Sequence, residues 1–162
     1  MLLGITQIAS AYDFESGGVY YKITSTTNMT AAVTYYKTTD NVYSGTVTIP
    51  SSVTNDGKTY TVTEIGEKAF VGCTGLVGVN FPDKNLKKIG NSAFSGWNGM
   101  TQFVIPPRIP SIGAYAFSGC YGITSITIEE SVETLSLVNG QFQDCPLYSV
   151  FIGRPLSYSG NG

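Results

Sequence analysis

The residues able to do chemistry are few, and their spacing limits what they can be. The 162-residue sequence holds no histidine, so a Ser-His-Asp triad, a Cys-His pair and a histidine-ligated metal site are all closed to it. Cys73, Cys120 and Cys145 are widely separated, without the short Cys-x-x-Cys spacing of zinc sites. The densest acidic group is Glu129, Glu130 and Glu133. Paired carboxylates equip glycosidases, but these follow an apolar run that reads as a strand and fall in the turn after it, where charge is solvated. The segment from Asp83 to Lys88 reads as another solvated turn, with a mildly basic end. No phosphate-cradling loop is present, because the glycines recur at fixed intervals instead of lying between a strand and a long helix. The sequence therefore assigns no catalytic, cofactor-binding or metal-binding residue, and an enzyme is not expected.

Composition narrows the partners. Lys and Arg number 9 against 11 Asp and Glu, a net charge of −2, which argues against the basic stripe that nucleic acid requires. Charged residues make up 12%, about half the usual ~25%, and no stretch approaches the ~20 apolar residues of a membrane-spanning helix. At the N-terminus, the apolar run Met1 to Ile8 leads into Ala9-Ser10-Ala11, the small-x-small form of a signal-peptidase site. Residues 1–11 are read as the remnant of a signal peptide, and export follows as an expectation.

The elements that must position any binding residue are set by internal repetition. Ile65-Gly66-Glu67-Lys68-Ala69-Phe70-Val71-Gly72-Cys73 aligns with the segments starting at Ile89 and Ile112, and Trp97 takes the cysteine position once. Each is followed by the same second half, as in Gly75-Leu76-x-x-Val79-x-Phe81-Pro82. A degenerate copy runs from Leu135 through Phe142 and Cys145 to Ile152, and Val47-Thr48-Ile49-Pro50 keeps only the end of an earlier one. The phenylalanines at 70, 94, 117 and 142 recur at the 20–29-residue period of leucine-rich solenoids.

Within one copy, the alternation at Val79 and Phe81 predicts a short strand with Gly78 and Asn80 on its opposite face. Ile65, Ala69 and Phe70 are spaced as one short helical turn aimed inward. One such coil is too small to bury a core alone, so coils must stack and share an interior. Cys73, Cys120 and Cys145 then form an apolar interior ladder, in which Cys120 with Cys145 is the one pair close enough for a disulfide. Residues 12–64 read as an N-terminal β-rich cap that includes a degenerate first repeat, with strands at Val19–Thr24, Ala31–Tyr36 and Lys58–Thr63 and a hairpin around Asp56-Gly57. Residues 65–162 are the repeats. Nothing in the turn-rich segment after Ile152 covers the last coil, so the repeats are expected to be truncated.

The phrase Ile-Gly-x-x-Ala-Phe-x-Gly-Cys followed by Gly-Leu-x-x-Val-x-Phe-Pro resembles the BspA-type leucine-rich repeat of exported and surface proteins, over roughly 47–152. The resemblance implies a solenoid with parallel strands on one face, and a role in adhesion, host-protein binding or cell aggregation. A binding surface is expected on the strand face turned away from the core, at Gly78, Asn80, Gln102, Val104, Ser125, Thr127, Ser149 and Phe151. That face is small-featured and uncharged, suited to a broad protein contact or a glycan more than to a pocketed substrate. Three readings follow: a secreted or cell-surface module binding a host or bacterial surface protein, a structural spacer within a larger surface protein, and a glycan-binding module.

Overall fold

The computed structural model describes residues 11–36, 42–82 and 84–160. The signal-peptide reading therefore lies outside the described residues except at Ala11. The chain opens with an antiparallel meander of β1 (Phe14–Ser16), β2 (Val19–Ser25) and β3 (Thr30–Thr34). Strand β2 alternates as a half-buried strand should: Val19 and Tyr21 are buried, and Lys22 is exposed. Then come β4 (Gly45–Thr48), β5 (Ser52–Asn55) and β6 (Lys58–Ile65). The β5–β6 hairpin turns at Asp56 and Gly57, with φ of 48° and 72°, the double left-handed conformation of a two-residue hairpin loop. Strands stand at the three places expected before residue 65, with ends moved by one to two residues.

The repeats contribute β7 (Leu76–Asn80), β8 (Lys88–Ile89), β9 (Gln102–Ile105), β10 (Ser111–Ile112), β11 (Ser125–Ile128), β12 (Leu135–Leu137), β13 (Ser149–Ile152) and β14 (Leu156–Tyr158). Each coil is one long strand, one short strand and one turn. The long strands pair in parallel as β4–β7 and as β9–β11–β13. The short ones form a second parallel ladder, β6–β8–β10–β12–β14, which continues through β3 into the cap, so that meander and coils share one sheet. This second ladder was not foreseen. Ile65, Ile89 and Ile112, read as part of a helical turn, are instead its inward side chains, each at most 2% exposed.

The expected helical turns are absent: the described residues contain no helix. The reason lies in where the amides go. The Lys68, Phe70 and Gly72 N–H groups donate to the Asn91, Ala93 and Ser95 carbonyls of the next coil, at 3.0, 2.7 and 2.8 Å. The Ser92, Phe94 and Gly96 amides reach one coil further in the same way. Amides committed to a neighbouring coil cannot close i→i−4 bonds. Left-handed φ at Lys68 (57°), Ser92 (51°) and Tyr115 (57°), matched by Gly72, Gly96 and Gly119, lets the segment reverse as successive turns.

The interior is one apolar cluster that runs from the cap to the last coil. Its spine is a column of rings. Phe70 stacks on Phe94 at 5.1 Å, Phe94 on Phe117 at 5.3 Å and Phe117 on Phe142 at 5.3 Å, with interplanar angles of 5°, 7° and 10°. Tyr43, at 4.8 Å from Phe70, ends the column at the cap.

Candidate functional site

The outward residues of the long strands form the candidate surface. In β9, Gln102 and Val104 are exposed while Phe103 and Ile105 are buried; in β11, Ser125 and Thr127 are half-buried between buried Ile126 and Ile128. The parallel register turns this alternation into rows. Gln102, Ser125 and Ser149 align in one, Val104, Thr127 and Phe151 in the next. On the β4–β7 pair, Thr46 faces Gly78, and Thr48 faces Asn80, whose Nδ2 donates to Thr48 Oγ1 at 3.1 Å. The structure thus brings Gln102, Val104, Ser125, Thr127, Ser149 and Phe151 into one sheet. Asn80 and Gly78 stand in the separate β4–β7 sheet.

The face carries no charged side chain. Glu129, Glu130 and Glu133 are exposed just beyond β11, as expected of a solvated turn. In the segment 83–88, read as wholly solvated, Asp83 lies outside the described residues and Leu86 is in fact core, 1% exposed. Beside β4, residues 17–19, 42–44 and 46–48 line a recess of about 230 Å³. Its Tyr43 hydroxyl is already committed, donating to the Thr34 carbonyl at 2.6 Å and accepting from the Tyr20 amide at 3.0 Å.

The cysteine position is interior, and it is polar in use. Cys120 Sγ donates to the Phe94 carbonyl and Cys145 Sγ to the Phe117 carbonyl, each at 3.1 Å, while Trp97 Nε1 donates to the Leu76 carbonyl at 2.6 Å. Tryptophan at this position, like Cys120 and Cys145, supplies a donor aimed one coil back, though to a different carbonyl of that coil. All three cysteines are free thiols, so Cys120 and Cys145 are unbridged. Burial pushes the Cys120 thiol up to about 12, which keeps it protonated and a poor nucleophile or metal ligand. Among the described residues no cluster of acidic or cysteine side chains could hold a metal ion.

One contact escaped the sequence reading. Arg154, 5% exposed, points into the stack and donates to the Pro107 and Pro106 carbonyls at 2.5 and 3.0 Å. Burial disfavours its charge and lowers its pKa, while Glu133 and Glu129 support it. It ties the corner of the last coil to a corner two coils back.

Comparison with known proteins follows this geometry. Residues 37–161 match the BspA type leucine rich repeat region in six copies. A leucine-rich repeat protein from Bacteroides capillosus is similar in structure, with a TM-score of 0.67 and 30% identity over 86% of this chain and 96% of that one. A leucine rich cell surface protein from Faecalibacterium prausnitzii has a TM-score of 0.60 and 25% identity, covering 86% of this chain and 42% of that one. The T. pallidum leucine-rich repeat protein shares the fold, with a TM-score of 0.57 at 20% identity over 91% and 86% of the two chains. No curated protein matches the sequence.

Proposed function

As the chain belongs to the BspA-type leucine-rich repeat family, we propose that it is a surface or secreted interaction module that holds a protein partner against the outer face of its long strands. The observation that carries this reading is the pair of uncharged rows, Gln102–Ser125–Ser149 and Val104–Thr127–Phe151, held in register by the ladder beneath them. A flat surface fixed by backbone pairing loses little freedom on binding, and its mix of amide, hydroxyl and apolar groups suits the moderately polar contacts of a non-obligate protein interface. A glycan site would favour exposed rings beside carboxylates; on these rows the exposed ring is Phe151. The cell-surface description of the Faecalibacterium protein and the export signal read at residues 1–11 support placing the module outside the cell. Adhesion is the role proposed for it.

The test is binding of the purified chain to a panel of host extracellular-matrix and bacterial surface proteins by biolayer interferometry, beside a glycan array. Protein binding that is lost in the Asn80→Lys, Gln102→Lys, Thr127→Lys variant, with thermal stability retained, is the expected result. Glycan signals without protein signals would replace this reading with the carbohydrate one. A variant that behaves in every assay like the parent would leave the spacer role.

A further inference from the structure

In the corner that joins a long strand to the next short one, a single apolar side chain closes the end of the coil. Leu86 does so after β7 and Ile109 after β9, at 1% and 0% exposed. Each stands three residues before the inward isoleucine of its short strand, Ile89 or Ile112. After β11 the residue three before the buried Leu135 is Val132, so the register assigns it the same place. It is instead 97% exposed. This is not the exposure of an open end, because a further coil is already stacked here through β11–β13 and β12–β14.

The place that Val132 leaves is taken. Arg154 comes from the corner of that further coil, and its guanidinium reaches the Pro106 and Pro107 carbonyls in the corner of Ile109. A side chain that is 5% exposed and spans two coils has to pass through the interior of the coil between them, which is where Val132 would lie. The arrangement carries two costs: a valine lies in water, and a buried guanidinium keeps an Nε without a hydrogen-bond partner among the described residues. Burial works against that charge, while Glu133 and Glu129, on either side of Val132, support it.

We propose that this corner is a latch with two settings, in which Arg154 and Val132 exclude one another from one interior position. In the setting seen here Arg154 is inside, and the last coil is tied to the coil two before it. In the other, Val132 closes its own corner as Ile109 does, Arg154 turns out to water, and the tie is released. Each setting removes a cost that the other carries, which is what makes a packed corner bistable. The last coil supplies Ser149 and Phe151 to the outer face, so the latch governs whether the end of that face is held in place.

Methyl NMR of the whole chain with a soluble gadolinium chelate tests this, since the chelate broadens methyl signals that reach water. Val132 should be broadened in the parent, and in Arg154→Met its broadening should fall to the level of Leu86 and Ile109. Thermal melts give a second readout. Val132→Asp should move the melting temperature of the parent by no more than about 2 °C, as a surface substitution does, but lower that of Arg154→Met by about 5 °C, because there it displaces a buried apolar side chain. Both readouts are taken without a partner, so they stand or fall apart from the adhesive role. Should Arg154→Met fail to fold, the Glu129→Gln, Glu133→Gln chain decides, because it keeps every buried side chain and weakens only the support for Arg154; its Val132 should be less broadened than in the parent. Val132 broadened to the same degree in the parent and in the deciding variant would overturn the latch, as would melting shifts that simply add.

Discussion

At the residue scale, the molecule is governed by side chains that reach from one coil to the next. Phe94 is fully buried and touches Phe70, Phe117, Trp97 and Phe103, so Phe94→Ala should cost about 3–5 kcal/mol in urea unfolding. Trp97→Phe keeps an aromatic side chain but leaves a gap where the larger indole was and strips the Leu76 carbonyl of its Nε1 donor, the lost donor alone costing about 1–3 kcal/mol. The buried thiol and phenol set a pH limit. Cys120 and Tyr21 are each raised to about 12, so the folded state holds protons that the unfolded chain releases above its ordinary values of 9.0 and 10.0. Their contribution is complete below those values and is lost as pH rises toward 12, at up to about 1.4 kcal/mol per pH unit for each group. Thermal melts should accordingly lose stability from about pH 9 upward, and Cys120→Ser should remove the thiol's share of that slope. The ring column was legible because its spacing repeats. Arg154 was not, since its acceptors lie 47 and 48 residues away, a separation that leaves no local pattern.

Among the elements, the long strands follow from alternation, whereas the turn side of each coil does not. Ile65, Ala69 and Phe70 fit a helical face as well as they fit a strand end followed by a turn. What decides between them is the supply of acceptors in the next coil, which one copy read alone cannot reveal. The left-handed positions at Lys68, Ser92 and Tyr115 are also not glycine, so the usual sign of a reversal is missing. Far-ultraviolet circular dichroism should therefore show a strand spectrum without the helical double minimum; a helical signal would contradict the turn assignment. Where coils approach most closely, glycine is required. A Cβ at Gly99 would overlap the Leu76 carbonyl oxygen, and one at Gly113 would lie 2.5 Å from the Asn91 amide nitrogen. Gly99→Ala should thus be strongly destabilising, with loss of soluble folded protein, whereas alanine at Gly57, which meets nothing within 4 Å, should cost only about the 1–2 kcal/mol of a left-handed residue.

For the whole molecule, repetition along the chain becomes continuity in space. The β6–β8–β10–β12–β14 ladder, the turn-to-turn amide bonds and the ring column all run the length of the repeats, so no coil has an interior of its own. The outer face inherits its order from that stack, and this is why a sequence with so little local chemistry still presents a defined surface. Native-state hydrogen exchange tests this most directly, at the Phe70, Phe94 and Phe117 amides that donate to Ala93, Ala116 and Gln141. The account expects these amides to exchange only by global unfolding, with protection falling toward the open edge at 149–158. Exchange of the Phe94 amide at the rate of an exposed loop would contradict it.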